Sequence, residues 1–354
     1  MEDRVCAIIV TYNSAQYIKA CLESVLRQTY APHNVIVVDN NSSDNSVESA
    51  RDLGVHVIEN KENVGFAAAN NQGACYALDV LGCDFLMLIN PDTVSDERLI
   101  ESLVGTLKSG EDVGIAQAKI FLMNERELIN ASGIHHHYLY FGYCEGYRQP
   151  DVWGQDREIA VASGACLMVK ARVLKSLDYL FNEDFFMYHE DTDLCLRARL
   201  AGYRVMLSSG AVVWHDYRFG SGKKKFFHME KNRLFLMFQN YRLMTLVLLV
   251  PAIMFTEAQV LLHSLMGGWF AYKLKSYLWL LVNIRSVFEK RASVQKNRKT
   301  NDLDLMRLFV TDISFESVDN PGLRYVTNPA LRAYYRFVTW MLGFAGVDGT
   351  SAHN

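Results

Sequence analysis

The sequence has only 6 prolines in 354 residues, no cysteines in a C-x-x-C arrangement, and almost no net charge, with 36 Lys and Arg against 39 Asp and Glu. So few prolines exclude a proline-rich or collagen-like chain and leave a globular one. A formal charge of −3 excludes the chain-wide basic footprint of a nucleic-acid binder. The seven cysteines (Cys6, Cys21, Cys75, Cys83, Cys144, Cys166 and Cys195) are odd in number and scattered. They predict buried thiols in a reducing compartment, with neither a zinc site nor a disulfide framework. Met1–Arg4 leads straight into the apolar run Val5–Val10 without the pattern of a secretory signal, so the expected compartment is the cytoplasm. In the C-terminal third the charge-free runs 243–256 and 258–272 both stop short of the ~20 residues that a bilayer-spanning helix needs.

Half of the chain is apolar, which is ample for one large domain or two modest ones. Short β-branched runs alternate with helical patterns over the first two hundred residues. Val5–Val10, Val35–Val38, Val55–Ile58 and Phe85–Ile89 read as strands. Ile18, Cys21, Leu22, Val25 and Leu26 follow the i, i+3, i+4, i+7, i+8 spacing of a helix face, and Gly65–Leu78 reads as a helix of small residues. Strand then helix, repeated, predicts an α/β fold with a mostly parallel sheet and flanking helices. Ligands of such sheets bind beyond the carboxyl ends of the strands.

Those strand ends are polar. The first ends in Thr11-Tyr12-Asn13, the second in Asp39-Asn40-Asn41-Ser42-Ser43-Asp44, the third in Asn60 and the fourth in Asn90-Pro91-Asp92. Any one of them serves as an ordinary turn or helix cap, but four at one edge of one sheet point to a ligand. Further along, Glu183, Asp184, Glu190, Asp191 and Asp193 crowd eleven residues beside Phe185, Phe186, Met187 and Tyr188. Asp191 or Thr192 can cap a helix running to Ala201, and Arg197 can pair with Asp193 one turn on. A carboxylate raised from a helix start into a partly apolar cleft is also how a general base is made, because desolvation raises its pKa.

Cys6–Asn13, Val38–Ser46, Asn63–Gly73, Asn90-Pro91-Asp92, Ser163-Gly164-Ala165 and Glu190–Cys195 follow one another in an order that resembles glycosyltransferase family 2, and within it the rhamnosyltransferase-like members. The likeness covers roughly residues 4 to 217. It implies a GT-A (Rossmann-like) fold and inverting transfer of a sugar from a nucleotide diphosphate. Thr11, Tyr12 and Asn13 then line the nucleotide pocket, Asp39 accepts a hydrogen bond from the base, and Asn41, Asn63, Gly65, Asn70, Asn90 and Gly164 border the donor. Asp92 stands as a ligand of Mg²⁺ or Mn²⁺, Glu190 and Asp191 form an acidic pair with Asp191 as the base, and His215 is a later metal-ligand histidine. Asn90 occupies a position that is acidic elsewhere in the family, which leaves one carboxylate for the metal. The likeness implies dTDP-L-rhamnose as donor, with other UDP- or dTDP-hexoses open, and a lipid-linked saccharide as acceptor in surface polysaccharide synthesis. Transfer to a polyprenyl phosphate and a silent nucleotide-sugar-binding scaffold are the rival readings. His135-His136-His137, with no acidic partner nearby, reads as surface or acceptor-cleft lining.

From residue 221 the texture changes. Residues 221–300 carry 14 Lys and Arg against 3 Asp and Glu, interleaved with Phe, Tyr and Trp. This predicts helices lying at an anionic membrane surface on the cytoplasmic side, peripheral or monotopic, with an ordinary helical subdomain as the alternative. Gly220 and Gly222 with Arg218 and Lys223–Lys225 predict a mobile basic loop over the diphosphate. Pro329–Phe344 forms an amphipathic pattern suited to the same layer or to a homodimer. The expected domains are therefore 1–220, 221–300 and 301–354.

Overall fold

The computed structural model describes residues 3–217, 222–314 and 321–344. The chain divides into two compact units: Met1–Ile134, Cys144–Arg199 and Tyr203–Phe219 form the first, and His135–Tyr143, Leu200–Gly202 and Gly220–Asn354 the second. Residues 301–354, expected as a separate tail, thus fall in one unit with 220–300. Arg218 and Gly220 lie outside the described residues, so the predicted basic loop is described only from Gly222.

The strands are β1 (Val5–Thr11), β2 (Asn34–Asp39), β3 (His56–Glu59), β4 (Phe85–Ile89), β5 (Thr93–Ser95), β6 (Val113–Leu122), β7 (Ile129–Ala131), β8 (Ile134–His136), β9 (Gly142–Cys144), β10 (Arg157–Glu158), β11 (Cys166–Lys170) and β12 (Arg204–His215). The helices of the first unit are α1 (Ile18–Leu26), α2 (Ser46–Asp52), α3 (Phe66–Cys75), α4 (Leu99–Lys108), α5 (Ala171–Ser176) and α6 (Glu190–Leu200). The main sheet has the order β10-β12-β6-β11-β4-β1-β2-β3, with β5 added beside β12 and β7 beside β6. Strands β3, β2, β1 and β4 are parallel, as the alternating pattern predicts. β11 enters antiparallel between β4 and β6, and makes the sheet mixed.

Every residue of β1 is buried, the mark of a strand covered on both faces. On one face Val5, Ala7 and Ile9 join Ile18, Cys21, Leu22 and Val25 of α1, the stripe that the helical spacing foretells. The other face takes α3, whose Gly73 permits close approach: a Cβ there would lie 2.7 Å from Ile8 Cγ2. The regular part of α3 stops at Cys75 and a π-turn covers Tyr76–Val80, shorter than the predicted Gly65–Leu78 helix. The cysteine reading needs one correction. Cys6 of β1 and Cys83, just before β4, form a disulfide with Cα atoms 6.1 Å apart. The β1–β4 pairing brings them together across 77 residues, a proximity that spacing along the chain does not reveal. Cys21, Cys75, Cys144, Cys166 and Cys195 form no disulfide among the described residues.

The second unit contains α7 (Lys225–Asn240), α8 (Leu243–Met266), α9 (Phe270–Val282), α10 (Ile284–Lys296), α11 (Asp302–Met306) and α12 (Asn328–Phe344). The two charge-free runs merge into α8 and α9, because Pro251 and Glu257 do not interrupt α8. Two of the three histidines expected at the surface or lining an acceptor cleft, His136 and His137, are instead in the core. His136 and His137 are fully buried, the His136 ring meets Tyr140 and Phe309 edge-on, and the His137 Nε2 lies 3.1 Å from the Thr311 carbonyl oxygen. Burial pushes the His137 pKa down to about 3, so it packs as a neutral ring.

Candidate active site

Parallel pairing of β1 and β2 sets Thr11 directly across from Asp39, so the two strands end at one level. Thr11 is buried, and its Oγ1 has no partner among the described residues. Tyr12 is half exposed. Asn13 takes a left-handed φ of 52°, donates its backbone N–H to Ser42 Oγ (2.9 Å) and accepts the Ser43 N–H on its side-chain oxygen (2.8 Å). Asp39 accepts the backbone N–H (2.9 Å) and hydroxyl (2.5 Å) of Ser42. Asn41 follows at φ 65°, a conformation that asparagine tolerates better than most residues. The two loops are thus laced by serine and asparagine side chains rather than by packing.

Asn40 extends this lattice: its amide donates to the Gly65 carbonyl (3.2 Å) and its oxygen accepts from Asn60 (3.0 Å). Asn63 accepts the Gly65 N–H at 3.0 Å, and Gly65 turns into α3 at φ 91°. The first free N–H groups of α3, from Phe66 and Ala67, donate to the carbonyl of Phe186 at 2.8 and 3.3 Å. Asn70 is buried within α3 and donates to the Phe66 carbonyl one turn back (2.9 Å).

Phe186 belongs to a tight approach in which Phe186, Tyr188 and His189 all have positive φ before α6 begins. α6 starts at Glu190, two residues earlier than a helix capped by Asp191 would, so Asp191 stands in its first turn. Asp193 and Arg197 pair at 2.8 Å as their i, i+4 spacing foretells, and Arg197 also donates to the carbonyls of Tyr179 and Leu180. Asp191 Oδ2 accepts the Gly164 N–H at 2.9 Å, and Oδ1 accepts the Thr192 N–H at 2.6 Å. The next residue, Ala165, accepts the Asn90 N–H at 2.9 Å. Two consecutive residues therefore connect the Asp191 carboxylate with the Asn90-Pro91-Asp92 turn.

Both acids at the start of α6 hold protons more tightly than usual. Burial raises the Asp191 pKa, opposed by the Gly164 and Thr192 hydrogen bonds. Burial, then the neighbouring Asp191 charge, raise Glu190 to about 8, and its Oε2 has no partner among the described residues. Folded Glu190 therefore keeps its proton up to about pH 8, whereas the unfolded chain releases it near 4.5. The folded state binds more protons across that window, and stability falls as pH rises through it. Thermal denaturation is expected to show a falling Tm between about pH 5 and 8, and Glu190→Gln to remove most of that slope. An equally steep slope in the variant would assign it elsewhere.

At the other side, β5 pairs with β12 so that Thr93 faces His215, which brings Asp92 and His215 together. His215 Nε2 lies 3.3 Å from Asp92 Oδ1, and its Nδ1 lies 2.9 Å from Asn130 Oδ1. In the His215 tautomer that donates Nδ1–H to Asn130, Nε2 stands beside the Asp92 carboxylate, and the two are adjacent donors that a hard divalent cation could share. Among the described residues no group of three or more His, Cys, Asp or Glu is placed to hold a metal. Asp216 supports this corner, its N–H donating to the Asp92 carbonyl and its carboxylate accepting the Tyr17 hydroxyl at 2.7 Å. Sequence reasoning missed Asn130, which carries no motif, and gave no role to Asn40 or Ser42, although both lie in the polar run after β2.

Residues 6–177 match the family described as glycosyl transferase family 2. The low-salt glycan biosynthesis hexosyltransferase Agl10 of Haloferax volcanii is 29% identical over 199 residues, 56% of this chain and 62% of its own length. The N-acetylglucosaminyl-diphospho-decaprenol L-rhamnosyltransferase of Mycobacterium tuberculosis is 24% identical over 250 residues, 65% of this chain and 81% of its own. This chain thus spans less than two thirds of the Haloferax relative. Among solved structures, GalNAc-T7 with UDP, GalNAc and Mn²⁺ superposes with a TM-score of 0.53 at 15% identity, covering 66% of this chain and 47% of that one. The mannosyltransferase PcManGT of Pyrobaculum calidifontis, in complex with GDP-Man and Mn²⁺, gives 0.50 at 14% identity over 97% and 88%. The α/β unit has the GT-A glycosyltransferase fold. The family match covers residues 6–177, just under half of the chain.

Proposed function

We propose that the protein is an inverting glycosyltransferase that moves a sugar from a nucleotide diphosphate to a hydroxyl of a lipid-linked saccharide, at the cytoplasmic face of a membrane. The observation that carries this reading is the Gly164-Ala165 bridge, which holds a buried carboxylate at one end and the Asn90-Pro91-Asp92 turn at the other. An acceptor hydroxyl is a poor nucleophile at neutral pH, and Asp191, with its pKa raised by burial, is suited to take its proton during attack. Glu190, still protonated at neutral pH, keeps a second negative charge away from that base. Thr11, Tyr12, Asn13, Asp39 and Asn41 sit where a nucleotide base and ribose would enter, and Asn63, Gly65 and Gly164 border the sugar. A single base working against a leaving group on the far side of the sugar gives one displacement with inversion. When bound by Asp92 and His215, Mg²⁺ or Mn²⁺ would neutralise charge on the departing diphosphate.

The proposed donor is dTDP-L-rhamnose, and the proposed acceptor a saccharide on a polyprenyl diphosphate. The motif order and the name of the mycobacterial relative support both. Calorimetric titration with dTDP-L-rhamnose, other dTDP- and UDP-hexoses and the free nucleotides, with and without Mn²⁺, tests the reading. The expected result is a preference of about tenfold or more for one activated sugar over its nucleotide, present only with metal and lost in His215→Ala. Equal binding of sugar nucleotide and bare nucleotide, with metal or without, would overturn it.

A further inference from the structure

In the second unit α8 and α9 turn polar residues inward and apolar residues outward. On α8 the buried positions are Thr245, Leu249, Ala252, Thr256, Glu257 and Ser264, whereas Leu243, Val247, Val250, Met254, Leu262 and Leu265 face outward. Leu243, Val247, Val250 and Met254 recur at i, i+4, i+7 and i+11, a stripe along the first half of the helix, and Leu262 and Leu265 are exposed near its end. α9 repeats the inversion: its buried residues are Lys273 and Ser276, and Leu274, Leu278 and Leu281 are exposed. A protein surrounded only by water gains by turning such helices over, since each exposed Leu or Val withholds roughly 1.5–3 kcal/mol of burial. Something apolar therefore covers this face.

Inside, Glu257 of α8 pairs with Arg233 of α7 and with Lys273 of α9 (2.7 Å), and Glu230 pairs with Arg233 at 2.8 Å and also with Lys273. Two acids and two bases balance, so α8 is tied to α7 and α9 through a buried ionic cluster. Its Tyr334 contact, hydroxyl to the Leu248 carbonyl at 2.7 Å, adds α12, which exposes Phe337, Trp340 and Phe344 in a row with ring centroids 6.3 and 5.8 Å apart. Such aromatic rows suit the level of lipid headgroups. Charge supplies the complement: Lys223, Lys224, Lys275 and Arg285 are exposed in a segment with eleven more positive than negative residues.

The geometry points to an anionic lipid bilayer as the partner of this face, with α8 and α9 lying in its interface, one leaflet deep, and α8 not crossing it. By length and hydropathy α8 is able to span a membrane. Three features hold it back. Its Glu257 is committed to an ionic cluster with two other helices. α9, with 13 residues at about 1.5 Å rise each, is too short to return across a ~30 Å core. α10, which follows at once, exposes Arg285 and Glu289, and Lys223, from before α7, stands against the turn between α8 and α9: a Cβ on Gly268 would lie 2.8 Å from its Nζ. The inference concerns the second unit alone and stands whichever sugar is transferred.

The test uses the full chain with preformed vesicles of phosphatidylcholine alone or mixed with phosphatidylglycerol. Sedimentation is expected to favour the anionic vesicles by about tenfold or more, and alkaline carbonate to release the bound protein. Val247→Glu combined with Met254→Glu, both on the outer stripe, is expected to lower vesicle binding by about tenfold or more with an unchanged circular dichroism spectrum and Tm. Retention after carbonate would show a spanning helix, and undiminished binding by the double variant would place contact elsewhere. A double variant that turns a dimer into a monomer while binding vesicles as before would make the stripe an interface between two copies. Each of these three results overturns the inference.

Discussion

Asp191→Asn is expected to lower kcat by about a thousandfold while leaving nucleotide-sugar affinity within about threefold. The amide keeps the volume of the carboxylate at the start of α6 but has no basicity, so what is lost is removal of the acceptor proton rather than binding. A structural cost accompanies it. Asp191 accepts N–H groups from both Gly164 and Thr192, and an amide with one oxygen leaves one of those donors facing another donor, a penalty of about 1–3 kcal/mol. Steady-state kinetics with an activated sugar and its acceptor, run well below the variant's own Tm, separate the two effects. Turnover near wild type would remove Asp191 as the base. Equal losses of affinity and turnover would make its role structural.

Gly65→Ala is expected to have the largest effect on folding of any single methyl group in the first unit, about 3 kcal/mol or more. At φ 91° the backbone already disfavours any side chain, and an added Cβ would lie 2.6 Å from Phe186 Cδ2 and 2.8 Å from the Phe186 carbonyl oxygen. That carbonyl accepts the Phe66 and Ala67 N–H groups that begin α3, so Phe186 has no direction in which to yield without unmaking the helix start. Its displacement moves the strained Phe186–His189 approach to Glu190 and Asp191. Denaturant unfolding reads the first consequence, and loss of donor affinity measured by calorimetry reads the second. A variant as stable as the parent would mean that the Phe186 segment does not close on Gly65 in solution.

Strands and helices of the first unit were legible because their burial is written in local periodicity. The apolar run of β1 and the i, i+3, i+4 stripe of α1 each report one covered surface, and the Asp193–Arg197 pair follows from helix geometry alone. The motif residues were legible as polar strand ends, and β1–β2 pairing sets Thr11 opposite Asp39. What stayed hidden depends on contacts far apart in the chain. The Cys6–Cys83 pair arises from the neighbouring positions of β1 and β4, and Asn130 meets His215 across 85 residues through two unrelated strands. His136 and His137 misled because their neighbours come from distant segments: the His136 ring packs on Tyr140 and Phe309, and His137 meets the Thr311 carbonyl. The basic, apolar composition of 221–300 predicted helices at a membrane surface, but which side of α8 faces outward depends on the helices packed against it.

Gly164 and Ala165 link the Asp191 carboxylate to the turn that carries Asp92 by a spacer of two residues with a hydrogen bond at each end. So short a tether allows little separation. In the proposed reaction, a movement that tightens the site around an activated sugar would carry both ends together, and room for a bulkier incoming alcohol would come from the loops after β1 and β2.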